Sequence, residues 1–155
     1  MTIDKDNLIK NDRYDTFKGN QFTSWRGIWF WGVQGFILYS FLKLKHLSTP
    51  GILFGILMSS SLYFIFSYHL HYFQVSDHHF LIRSHTLFWK KKIYNIADIE
   101  EIVFERRGKM PNCLRVITKD FSNKLYPAGT LNNKTWLALK SKLETYGIIV
   151  RNESI

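Results

Sequence analysis

Between Gly27 and Leu42, and again between Gly51 and Tyr68, the chain carries no Asp, Glu, Lys, Arg or His. Runs of this length with every charge pushed outside are what hydrocarbon surroundings demand, because a charged side chain at a bilayer centre is costly. As helices they would extend about 24 and about 27 Å, a little short of a roughly 30 Å apolar core. Their ends must therefore help. Trp25, Arg26, Trp29 and Trp31 bracket the start of the first run and Lys43 and Lys45 its end, residue types that anchor or snorkel at interfaces. Pro50 and Gly51 open the second run, where a first helical turn tolerates proline, and it continues uncharged through His69, Leu70, His71, Tyr72 and Phe73. The connection 43–50 is too short for a domain. The pattern predicts a membrane α-helical hairpin over 25–73, with two transmembrane helices at about 27–42 and 51–70 and both termini on one side.

Within the second run Gly51, Gly55 and Ser59 recur every four residues, a small-residue stripe that lets another helix approach closely. The nearest partner is the first run, through Gly32, Gly35 or Ser40; a second copy or a different membrane protein is the alternative. Gln34, polar and mid-run, is expected to face such an interface rather than lipid.

A net charge of +9 invites a nucleic-acid reading, since clustered cations neutralise phosphates. The distribution argues otherwise. Of the 21 basic residues five lie in 1–26, two in 43–50 and fourteen from Gln74 onward, the bias that holds both flanks in the cytoplasm. A multi-pass membrane protein with both termini in the cytoplasm and no nucleic-acid partner is the expectation. The single Cys113 excludes an intrachain disulfide and a Cys-x-x-Cys motif. The first run starts well inside the chain, lacks a small-residue cleavage pattern and is followed by a second, which points to a retained anchor rather than a removable leader.

Residues 1–24 are polar and mixed in charge, and read as a solvated or surface-lying tail. From about residue 74 to 155 the pattern changes to short alternating runs broken by turn residues. Strands are predicted over 72–76, 80–84, 87–93, 102–107, 113–119 and 124–126. Asn133 to Tyr146 places Trp136, Leu139, Leu143 and Tyr146 at helical spacing, with Asn132 or Asn133 as the cap and Gly147 as the stop. This amphipathic helix needs an apolar surface to cover.

The order of elements, with the segments "YFQVSDHHFLIR", an Ile-x-x-Ile-x-x-Ile passage through Ile96, Ile99 and Ile102, and the closing "WLALKSKLETYGI", resembles the bacterial pleckstrin-homology (PH)-like membrane proteins. The resemblance implies an α+β soluble domain: a PH-like sandwich or partial barrel of seven strands capped by a C-terminal helix. Five or six strands are countable, so one is either missing or hidden around 94–101. PH-like folds serve as lipid-binding and protein-binding modules, and fold alone does not choose between them.

Lys90, Lys91, Lys92, Arg106, Arg107 and Lys109 are the densest basic material of the soluble part. They are candidates for anionic lipid headgroups, at about 1 kcal/mol per residue near a charged surface, or for an acidic protein partner; a solvated strand and loop that merely set topology would look the same. His69, His71, His78, His79 and His85 crowd the junction, but without His-Glu-x-x-His or paired Cys they read as an aromatic and histidine belt rather than a metal site. No phosphate-binding loop, Gly-x-Gly-x-x-Gly or Gly-x-Ser-x-Gly occurs, so no catalytic residue, metal or cofactor is expected. The function expected is a membrane-anchored module binding a protein partner or the anionic surface, the alternative an accessory subunit packing through its helices.

Overall fold

The computed structural model describes residues 13–43, 48–87, 89–106, 108 and 111–153. Among the described residues three helices and eight strands form a mixed α+β fold. Strand β1 (Asp15–Phe17) precedes helices α1 (Trp25–Lys43) and α2 (Thr49–Ser67). Strands β2 (His71–Val75), β3 (His79–Ser84) and β4 (Lys91–Asn95) follow, then a single 3-10 turn (Ile96–Asp98). Next come β5 (Ile99–Arg106), β6 (Asn112–Thr118), β7 (Asn123–Pro127), α3 (Asn133–Thr145) and β8 (Ile149–Asn152).

The helices α1 and α2 pack side by side, and their contact is specific. Gln34 Nε2 donates to the Ser59 carbonyl at 3.2 Å, and Ser59 Oγ donates to Gln34 Oε1 at 2.5 Å, which satisfies the one strongly polar side chain of the first run. Phe30 is fully buried against Tyr63 and Phe66. A Cβ on Gly55 would collide with the Phe41 ring, so the small-residue stripe is used within the chain, with Gly51 in the first turn of α2. The partners differ from those expected: Gly32 and Gly35 face open space, away from α2.

Only α2 among the described residues is long and apolar enough to cross a membrane by length and composition. The expectation of two such helices is met for one, because Arg26, Gln34, Lys43 and three tryptophans dilute the apolar character of α1.

Strands β1–β4 form one antiparallel sheet in that order, and the second sheet has the order β7-β6-β5-β8, with β8 parallel to β5. Both sheets and α3 share one core. Phe73, Val75, Phe80, Ile82 and Tyr94 come from the first sheet, Ile102, Phe104, Leu114 and Val116 from the second, and Trp136, Leu139 and Leu143 from α3. Asn132 caps α3 by accepting from Thr135 N at 2.8 Å, and Gly147 takes a φ of 75° just after it, as the sequence predicts.

Three elements depart from expectation. The tail carries β1, paired with β2, and β2 itself spans the boundary placed near residue 73. The third strand begins at Lys91 rather than Leu87, because the chain after β3 runs beside α2 at residues 85–87, with Tyr63 Oη donating to the Thr86 carbonyl at 3.3 Å. A strand, β8, follows the closing helix instead of the chain ending on it. No separate strand lies at 94–101: Ile96–Asp98 is the 3-10 turn, and Ile99 to Glu101 belong to β5, the strand expected at 102–107.

Candidate binding surface at the hairpin end

The register of the strands fixes which loops lie where. Residue Leu70, directly after α2, bridges to Ala128, His85 N donates to the Leu70 carbonyl at 2.8 Å, and Gly129 N donates to the His69 carbonyl at 2.9 Å. A Cβ on Gly129 would strike Arg26 and approach Pro111, and one on Gly19 would strike the Thr130 carbonyl. The roots of both helices, the β3–β4 loop, the end of the β5–β6 turn and the β7–α3 loop therefore converge at one end of the domain. Because successive strands alternate in direction, the β2–β3, β4–β5 and β6–β7 turns lie at the other.

The hairpin end gathers cations. Lys90 lies in the β3–β4 loop, its N–H on the Leu87 carbonyl at 2.8 Å. Lys91 opens β4 opposite Arg83 of β3, which in turn lies opposite Tyr72 of β2. Lys18 Nζ sits 5.6 Å from the centre of that same Tyr72 ring. Arg106 ends β5 opposite Asn112, on the turn that reaches the junction. Arg107 and Lys109 lie outside the described residues. Lys92, one step further along β4, faces the other way, opposite the core residue Ile82, with Nζ 5.7 Å from the Tyr94 ring. The lysine triplet thus splits between two surfaces, as the two-residue period of a strand requires.

Lys18, Arg26 and Arg83 join the set although sequence clustering did not single them out for it. Arg83 was legible in principle: with Phe80 and Ile82 facing the core, alternation turns Arg83 outward with its neighbours Tyr72 and Lys91. Exposed aromatic residues flank this region, with Trp25 72 % and Trp89 60 % exposed. Acids collect at the opposite end instead: Asp15 opposite Val75, Asp77 in the β2–β3 turn, Asp98 before β5 and Asp120 in the β6–β7 turn. Among the described residues two carboxylates lie at the hairpin end of β5 and β8: Glu105, held by a two-pronged contact with Arg115 at 2.6 and 2.7 Å, and Glu153, whose Oε1 lies 3.0 Å from Arg151 Nε.

The histidines do not form one cluster. His78 and His79 lie at the far turn, while His71 Nδ1 meets the Pro127 carbonyl at 2.9 Å and His85 Nε2 meets Thr130 Oγ1 at 3.3 Å. Burial holds the His71 imidazole below its usual range, and burial with the nearby Lys18 pushes His85 down to about 4. Both rings are thus neutral hydrogen-bonding struts between the sheets near pH 7. Among the described residues no group of three His, Cys, Asp or Glu side chains is placed to hold a metal ion. Cys113 is buried within the fold. Comparison with models of known protein families and with curated proteins finds no match for this chain.

Proposed function

We propose that this chain is a membrane-anchored PH-like binding module whose hairpin crosses the bilayer and whose basic end rests on anionic headgroups at the cytoplasmic face. One observation carries the reading: the hairpin leaves the domain from the end that gathers Lys18, Arg83, Lys90, Lys91 and Arg106, where the carboxylates of Glu105 and Glu153 are each held by an arginine, while Asp15, Asp77, Asp98 and Asp120 lie at the other. Junction bonds tie hairpin to domain, so a bilayer around α1 and α2 would meet those cations without any further recruitment. Trp25 and Trp89 would lie at headgroup level, where tryptophan is favoured. The two sheets with a shared core and a covering helix support the PH-like comparison; the eight strands exceed by one the seven that it implies.

The contribution of each cation is about 1 kcal/mol and screened by salt, so the surface orients a tethered domain and selects its lipid neighbours. Spin-labelled phosphatidylserine and phosphatidylcholine around the full-length protein in mixed vesicles test this. Preferential association of the anionic lipid is expected, falling with salt and with the combined Lys18→Gln, Arg83→Gln, Lys90→Gln and Lys91→Gln changes. Equal association of the two lipids would overturn it.

A second reading has its own observation. On the outer side of α1, Trp25, Ile28, Trp29, Gly32, Val33 and Phe36 line an apolar groove of about 510 Å³, a shape suited to a helix of another membrane protein. In an accessory subunit this groove, and not the stripe already used by Phe41 and Gln34, would be the contact. Crosslinking from Gly32→Cys in native membranes separates the two readings.

A further inference from the structure

The two sheets meet along two seams, and one of them is open. Among the described residues, strands β4 and β7 each end their sheet without pairing to one another. Between them lies a groove of about 780 Å³, lined among others by Lys92, Ile93, Tyr94, Lys119 and Lys124.

The phase of the ladders shows what this seam offers. Ile96 N donates to the His78 carbonyl at 2.9 Å, and Thr118 N to the Ser122 carbonyl at 3.0 Å. Bonded and non-bonded pairs alternate in antiparallel sheets, so Phe80 with Tyr94, Ile82 with Lys92, Val116 with Lys124 and Leu114 with Tyr126 are bonded pairs. Ile93 and Leu125 therefore turn their backbone N–H and C=O groups outward along the two edges. The hydroxyls of Tyr94 and Tyr126 meet at 2.6 Å across the gap. That bond props the edges at a fixed spacing and uses one of the two phenolic protons.

Charge narrows the choice of occupant. Lys92 and Lys124 occupy positions that face inward, in register with the core residues Ile82 and Val116, and Lys119 adds a third ammonium. The lining also holds two acids, Asp98 and Asp120; Asp120 accepts bonds from Thr118 Oγ1 and Ser122 N within its own turn and feels Lys124. Three ammoniums thus stand against two carboxylates, and the groove keeps a net positive charge. Inward-pointing lysines on an edge discourage indiscriminate strand pairing, since a neutral or basic strand would cover an ammonium without a partner. An acidic strand supplies that partner.

We propose that the β4–β7 seam takes an extended acidic peptide segment of a partner protein, its backbone bonding the free edge at Ile93 or Leu125 and its carboxylates meeting Lys92, Lys119 and Lys124. The groove reaches toward the far turns, so a partner can enter while the hairpin end is occupied. This inference stands apart from the lipid reading and does not need it.

The test uses the full-length protein in nanodiscs of phosphatidylcholine, which carries no net charge. The probe is a fluorescein-labelled decapeptide of alternating Thr and Asp, followed by anisotropy and by hydrogen exchange at Ile93 and Leu125. Saturable binding with slowed exchange at one of these amides is expected. Methylating every second peptide amide nitrogen, in one of the two phases, should weaken it about tenfold or more through lost backbone bonds. The alternating Thr and Lys decapeptide should bind only after Lys92→Glu with Lys124→Glu; if that pair fails to fold, Lys92→Gln alone should weaken the acidic probe. Absence of saturable binding overturns the proposal and leaves the lysines as edge guards. Binding indifferent to amide methylation in both phases overturns it too, as attraction of a polyanion only.

Discussion

The two seams of the β domain solve one problem in opposite ways. At the first, α3 lies across β1 and β8 and fills the gap with Trp136, Leu139 and Leu143, all fully buried. At the second, polar struts bridge the gap: Tyr94 to Tyr126 between β4 and β7, His71 of β2 to the Pro127 carbonyl, and His85 to Thr130 between the loops that follow β3 and β7. Apolar burial is non-directional and insensitive to pH, whereas each strut depends on one geometry and one protonation state. The first seam should therefore carry stability, and the second should remain adjustable.

The sharpest way to break this comparison is Leu143→Ala. Removing a buried leucine costs about 2 to 5 kcal/mol, depending on how far the site collapses. Denaturant unfolding of the full-length protein in mild detergent should show that loss, the largest of this series. A loss under about 1 kcal/mol would mean that α3 only rests on its seam.

Acidification comes next and should act on the polar seam alone. His85 titrates at about 4 in the fold against a usual 6.5, so as pH falls below 6.5 the unfolded chain binds a proton that the native ring refuses. Stability therefore declines between pH 6.5 and 4 and is unaffected by this group above that window. Because water reaches part of the ring, the screened effect at pH 5 is on the order of 1 kcal/mol. Hydrogen exchange should quicken in β7 and the β7–α3 loop at pH 5 relative to pH 7 while α3 stays protected. His85→Gln should reduce that response and leave the share of His71, which burial also holds below its usual range. Uniform quickening across both seams would dissolve the distinction.

Much of the apolar seam was readable in the sequence and little of the polar one. Trp136, Leu139 and Leu143 announce their face through helical spacing, and Asn132 and Gly147 mark its ends. Gln34 announced itself as a polar residue needing a partner, and Ser59 supplies one. By contrast, Tyr94 and Tyr126 lie 32 positions apart, and no local period links them. Strand β1 is three residues long, too short to show alternation, and β8 pairs with β5 in parallel across the whole β6–α3 segment. Leu87 looked like strand because it is apolar, yet its burial is in a loop beside α2. The gathering of Lys18, Arg83 and Lys91 arises only from register, which the sequence does not display.

Tyr126→Phe should produce a smaller loss, about 0.5 to 1.5 kcal/mol, the usual worth of one hydrogen bond. Burial, with the Tyr94 contact, holds the Tyr126 hydroxyl protonated far above the ordinary phenol range, so this loss should not vary between pH 6 and 9. If the strut also sets the width of the groove, the variant should show slower exchange at Ile93 and Leu125 as the edges draw together. Unchanged exchange at both would leave the tyrosine pair as a stabilising contact without a spacing role.

The smallest effect is expected at Lys142→Ala, one residue from Leu143 on the same helix. Lys142 Nζ lies 2.6 Å from Asp15 Oδ2, tying α3 to β1. Both groups face water, so screening and side-chain entropy consume most of the attraction. The hydrogen bond to Lys142 lowers the Asp15 carboxyl from its usual 3.8, and the bond to Asp15 raises Lys142 from its usual 10.5. What Asp15 contributes is thus present above 3.8 and lost as pH falls through its lower native value. What Lys142 contributes is present below 10.5 and lost as pH rises through its higher native value. The difference between wild type and Lys142→Ala should be flat across neutral pH, vanish in acid and shrink in 1 M salt, where the screening length is about 3 Å. Denaturant unfolding at low and high salt would measure it. A loss approaching that of Leu143→Ala would mean that an exposed ion pair, rather than buried side chains, closes the first seam, and the contrast between the two seams would fail.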